Sequence, residues 1–155
     1  MKRSHVWMKR YRILIPGATA VVLTGCAGMS AGMPILLSGA QEVPVVQTGA
    51  SGRADLTVHW FKCPAAENSN NCPTLVGTVA TVGTSATQVE IRQGVPGQNG
   101  PLIVKLVKTG DSTWQVPSGA ILTPAQYEAY QQGQLYVNVD STKYVNGELR
   151  AQLRP

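Results

Sequence analysis

The sequence is short of the residues on which metal binding, catalysis and nucleic-acid recognition most often rest. It holds two histidines and three cysteines in 155 residues. His59 is the only histidine beyond residue 26, and its place on the polar side of an alternating segment reads as solvated. No CxxC pair is present, which removes the usual zinc-ribbon and dithiol redox motifs. No nucleophile elbow surrounds any serine, so a Ser, His and acid triad has no local signature. The basic excess is also less than it looks. Of thirteen basic residues, Lys2, Arg3, Lys9, Arg10 and Arg12 precede residue 26, leaving eight against eight acidic residues. A nucleic-acid surface needs a clustered basic stripe, and the balanced remainder excludes one. A long hydrophobic run is missing too: residues 13–25 are apolar but are broken by Pro16 and Gly17. A membrane-spanning helix needs about 18 apolar residues or more, so no permanent span is expected.

What is present begins with export. MKRSHVWMKRYR is a positive n-region and ILIPGATAVVLTG an apolar h-region, the order of a secretory signal. Met8 opens a complete signal by itself, so either methionine serves as the start. The run ends in Leu23, Thr24, Gly25 and Cys26, which resembles the bacterial lipobox. Small side chains there admit a protease to the backbone, and the thiol of Cys26 accepts the lipid. Residues 1–25 are therefore expected to be removed and Cys26 acylated. One acyl chain holds marginally, whereas two or three hold stably, since each buried methylene contributes about 0.8 kcal/mol. The partner implied is a membrane, reached through the lipid. Ala27, where aspartate is absent, points to the periplasmic face of the outer membrane in a two-membrane envelope. Residues 26–34 read as a flexible tether and 35–155 as one folded domain.

Within 35–155 short alternating segments recur between turn signals, the pattern of an antiparallel all-β domain. In RADLTVHWF, Ala54, Leu56, Val58 and Trp60 alternate with Arg53, Asp55, Thr57 and His59, so the first set is expected inside. Further strands are predicted at 74–82, 86–92, 101–108, 134–140 and 147–153. Asn99–Gly100 and Asn146–Gly147 mark tight turns. One short helix is predicted, with Thr123 as N-cap, Pro124 first, Gln126 closing a capping box and Gly133 as the stop. Its Tyr127 and Tyr130 are expected to cover one end of the domain. Cys63 and Cys72 flank a polar loop and are expected to pair in an oxidising compartment. The fold class is an all-β, antiparallel immunoglobulin-like or superoxide-dismutase-like β-sandwich with one short helix, a closed barrel being the structural alternative.

Three stretches resemble the CHRD domain family in order and spacing: LSGAQEVPVVQTGASGRADLTV (37–58), PGQNGPLIVKL (96–106) and TPAQYEAYQQGQLYVNVDSTKYVNGELRAQL (123–153). The family carries histidines in an AHIHG motif and in an LYVNVHT strand. Here Glu90, Arg92 and Asp140 stand at the corresponding places. The resemblance implies an ancestral transition-metal face like that of copper and zinc superoxide dismutases. The residues present imply an ion-pair cluster of Glu90, Arg92 and Asp140 instead. Glu90, Asp140 and Glu148 are the oxygen donors that a hard cation would use, although calcium wants six to eight ligands and Arg92 repels it. No cofactor is therefore expected. The function expected is a non-catalytic binding or structural module facing an envelope protein or polymer. The alternative that the resemblance carries is a metal protein or enzyme of superoxide-dismutase character.

Overall fold

Alternation of small or β-branched apolar residues with polar ones favours extended chain buried on one face, and the domain is built almost wholly from such segments. The computed structural model describes residues 34–64 and 71–155. The signal, Cys26 and the tether up to residue 33 lie outside the described residues, as does most of the loop between Cys63 and Cys72.

The strands are β1 (Ile35–Leu37), β2 (Ser51–Lys62), β3 (Asn71–Val82), β4 (Ala86–Gln93), β5 (Leu102–Lys105), β6 (Val107–Lys108), β7 (Thr113–Gln115), β8 (Leu135–Ser141) and β9 (Leu149–Gln152), with α1 (Pro124–Gln131) before β8. They form a five-stranded sheet ordered β1-β2-β3-β7-β6 and a four-stranded sheet ordered β5-β4-β8-β9, with every pairing antiparallel. The two sheets face each other across Ala54, Leu75, Val79, Val89, Ile91, Val137, Val139 and Leu149, all without exposed surface. This is the all-β sandwich expected from the alternation.

The sheets are joined at both lateral corners. On one side Ser38, following β1, exchanges both backbone hydrogen bonds with Arg150 of β9 at 3.1 Å. On the other, the segment expected as one strand over 101–108 divides at Leu106. This residue is buried and donates its N–H to Val89 O, so β5 stays in one sheet and β6 enters the other. A bend of this kind is how sandwiches turn a corner.

The helix has the expected caps. Thr123 Oγ1 accepts from the Gln126 N–H at 3.2 Å while Gln126 Oε1 accepts from the Thr123 N–H at 2.9 Å. Tyr130 is buried and Tyr127 packs against the core, so α1 covers one end of the sandwich. Two expectations need correction. Trp60, placed inside by alternation, is 53% exposed, because among the described residues no sheet lies opposite β2 from His59 to Lys62. Asn99–Gly100 is not a two-residue hairpin turn but part of a longer connection between β4 and β5. Gly100 is required there because a Cβ would lie 1.6 Å from Gln93 O.

Cys63 and Cys72 are disulfide-bonded and close the end of the β2–β3 hairpin with a sequence separation of 9. The bridge lies away from the buried core, so its loss is expected to lower stability without changing the fold. On the chain-entropy model the loss is about 2 to 3 kcal/mol. Urea unfolding with and without reductant checks this; loss of the native circular dichroism spectrum on reduction would show the bridge to be needed for folding.

Candidate functional site

The outward face of the four-stranded sheet is polar by pattern and nevertheless buried. Glu148, Arg150 and Gln152 alternate along β9 with the core residues Leu149, Ala151 and Leu153. Tyr136, Asn138 and Asp140 do so on β8, and Gln88, Glu90 and Arg92 on β4, with Glu90 opposite Asn138 and Asn138 opposite Arg150. On this face Glu90 is 2% exposed, Glu148 4% and Arg150 1%. The connection from Gly94 to Pro101 and the segment after β1 lie over it.

Arg150 is the centre of this layer. Its Nη1 donates to Asn99 Oδ1 at 3.1 Å, and its Nη2 donates to Val95 O at 3.2 Å and Gln98 O at 2.8 Å. The guanidinium lies 3.6 Å from the centroid of the Tyr136 ring, a cation–π stack. Tyr136 Oη accepts from the Gly100 N–H at 3.1 Å, and Asn99 Nδ2 donates to Val43 O at 2.7 Å. Gln152 Nε2 donates to Gly94 O at 2.6 Å and Gly133 O at 2.8 Å, and so ties the same connection to the end of α1.

Glu42, in the segment over this face, is 4% exposed, and its Oε1 has no hydrogen-bond partner among the described residues. Its carboxylate packs against Gly147, where φ is +124° and a Cβ would come within 2.8 Å of Oε2, so only glycine fits. Burial pushes the Glu42 carboxyl up to about 7, against the opposing pull of Arg150. Glu42, Pro44, Pro96, Arg150 and Gln152 line a cleft of about 430 Å³.

The residues singled out from the sequence divide into separate places. Arg92 Nε donates to Glu90 Oε2 at 2.7 Å, Gln88 also donates to Glu90, and Arg92 Nη1 reaches Gly100 O at 3.1 Å. Asp140 makes no bond to Arg92. Its Oδ1 accepts from Asn138 Nδ2 at 2.6 Å. Burial raises the Asp140 carboxyl above its ordinary value, the Asn138 bond opposes this, and the Glu90 charge adds to it. The expected three-residue ion cluster is thus one ion pair beside a separately bonded carboxyl.

Glu148 lies elsewhere again. It accepts from Thr48 Oγ1 at 2.7 Å and from Thr84 Oγ1. Burial pushes its carboxyl up, but the hydroxyls of Thr84, Ser141 and Thr48 outweigh this and hold it below the ordinary value. Among the described residues no three His, Cys, Asp or Glu side chains come together as a metal site, and Glu90, Asp140 and Glu148 do not converge. The donor set itself does not fit copper or zinc, since a guanidinium occupies one of the places and is already bonded to the carboxylate of another. His59 is exposed on β2, far along the chain from this face. Sequence reading missed Glu42, Arg150 and Gln152. Alternation with Leu149, Ala151 and Leu153 gives the face of Arg150, yet only the overlying chain makes that face an interior.

A family model described as the CHRD domain matches residues 33–153. No curated protein and no solved structure matches the chain.

Replacing Arg150 with methionine removes the donor to Asn99 Oδ1, Val95 O and Gln98 O together, and is expected to destabilise the domain by about 2 to 4 kcal/mol in urea unfolding. Arg92→Ala leaves Glu90 bonded to Gln88 and is expected to cost less, about 1 to 2 kcal/mol. Equal losses in the two variants would refute the central place of Arg150. For Glu42 the sign follows from its raised value. Between its ordinary 4.5 and about 7 the folded chain holds a proton that the unfolded chain has released. Stability attributable to Glu42 therefore rises as pH falls through that window. Glu42→Gln is expected to flatten this slope relative to the parent and to raise the urea midpoint at alkaline pH; an unchanged slope would assign it to another group.

Proposed function

The chain belongs to the CHRD domain family, and from this premise we propose that it is an exported lipoprotein whose sandwich acts as a non-catalytic binding or structural module in the cell envelope. The observation that supports the module reading is the internal pairing of the polar face, Glu42 excepted. Glu90 is bonded to Arg92 and Gln88, Asp140 to Asn138, Glu148 to Thr48 and Thr84, and Arg150 to the connection over it. Groups satisfied by one another hold loops in place and do not form the nucleophile–base or acid–base pairing that catalysis needs. The family's metal-type face supplies no step here, because the residues at its positions do not fit such an ion.

The anchor reading rests on Leu23-Thr24-Gly25-Cys26 at the end of the apolar run. Acylation of Cys26 keeps the protein at a membrane without a spanning helix, and among the described residues no helix is long and apolar enough to cross one. The domain then meets its partner, an envelope protein or polymer, through surfaces other than the internally bonded face.

The test is intact-mass analysis of protein taken from the membrane fraction of an expressing bacterium, together with elemental analysis. A chain beginning at Cys26 with added diacylglycerol, and a Cys26→Ser form released to the soluble fraction, are the expected results. Unmodified Cys26 in a membrane-free parent protein would overturn the anchor. Stoichiometric copper, zinc or calcium that survives dialysis would overturn the module reading.

A further inference from the structure

A second concavity lies at the far end of the β2–β3 hairpin, where α1 runs beside it. A cleft of about 930 Å³ separates hairpin and helix, walled by Trp60, Pro73, Ile121 and Tyr127. Trp60 and Tyr127 meet edge to face, with ring centroids 5.1 Å apart and planes at 74°. Asn71, Glu128 and Gln131 stand on its rim. The disulfide between Cys63 and Cys72, both lining the cleft, fixes the hairpin end. Gln131 Nε2 donates to Tyr127 Oη at 3.3 Å, which holds the phenol in place from the helix side.

Trp60 is the informative residue. Its position in the strand alternation is an inside one, yet the indole remains 53% exposed on the wall of a cleft. Indole and phenol offer flat apolar faces with polar tips at low cost in side-chain freedom, which suits ligands that are apolar on one face and hydroxylated at the edge. Among the described residues the cleft lining carries one charged side chain, Glu128, and no Lys or Arg, so an acidic ligand finds no counter-charge among them. A polyproline helix packs between parallel aromatic ridges. Two rings at 74° make a corner and not such a row. A sugar ring fits the corner: its C–H face lies on one aromatic ring, and its hydroxyls reach amide and carboxylate groups on the rim.

We propose that this cleft binds an uncharged oligosaccharide, with Trp60 as the stacking platform, Tyr127 as the second wall, and Asn71, Glu128 and Gln131 as hydroxyl partners. The proposal deepens the binding-module reading above by naming the class of envelope polymer that the module holds.

The experiment titrates the mature, lipid-bearing protein in detergent with oligomers of N-acetylglucosamine and of glucose, following tryptophan emission and heat. Trp114 is buried at 4% exposure, so a shift on binding reports Trp60. Saturable binding of at least one oligomer is expected. Trp60→Ala and Tyr127→Ala should each weaken it by about tenfold or more, as loss of a central aromatic anchor does. Trp60 is exposed, so Trp60→Ala should leave the urea midpoint near that of the parent. No saturable response to either oligomer series, binding unchanged in Trp60→Ala, or a proline-rich peptide that binds in their place would each overturn the proposal. A lipidated protein blind to sugars removes this inference alone, whereas a sugar-binding protein without lipid removes only the anchor.

Discussion

A guanidinium taken out of water needs an acceptor for each N–H group that loses its hydration, and the polar side of this domain is organised around that requirement. Arg150 meets it with two backbone carbonyls and one amide oxygen from the β4–β5 connection and with the face of Tyr136. The acceptors come from a segment without strand pairing, so the same bonds that satisfy the charge also give that segment its conformation. Asn99 passes the constraint on to Val43, and Gln152 passes it on to the end of α1. One strand, β9, thereby fixes three irregular stretches that are distant in sequence.

Residues far apart in the chain meet in that layer. The stretches 37–58, 96–106 and 123–153 are separate in the chain, and they supply Glu42, Asn99 and Arg150 to one layer. Glu148, two residues before Arg150, ties Thr48 and Thr84 by the same device. At the places where the resemblance puts histidine, this chain has a bonded Glu90–Arg92 pair and an Asp140 held by Asn138. Apart from Glu42, whose Oε1 has no partner among the described residues, the charged groups of this layer are bonded within it. On the binding reading proposed above, recognition falls to other surfaces, and the cleft beside α1 with its exposed Trp60 is one of them.

The β-class, the helix with its capping box and the Cys63–Cys72 pair were legible in the sequence because each is set by neighbours close in the chain. Alternation gives a strand face, Thr123 and Gln126 lie three residues apart, and the two cysteines bracket one loop. Four features were not legible because they depend on what lies opposite. Leu106 ends one sheet and starts the other with no glycine or proline to mark it. Trp60 obeys the alternation of its strand but has no sheet to cover it. Thr113–Gln115 is too short, with Trp114 its only buried side chain, for a period to emerge. Arg150 is the clearest case: its pattern is that of a solvated residue, and only the overlying connection makes it an interior one.

The corners at Ser38 and Leu106 have a further consequence. A sandwich ordinarily ends in strands whose free N–H and C=O groups can recruit the same strand from a neighbouring copy. Here β1 is continued onto β9 and β5 runs on into β6, so the groups at these corners are engaged within one molecule. Under the lipid anchor proposed above, confinement to a surface would raise the frequency with which identical chains meet, much as tethering raises effective concentration. A domain with its corners engaged in this way offers those encounters less backbone at Ser38 and Leu106, while the outer sides of β5 and β6 stay open for pairing.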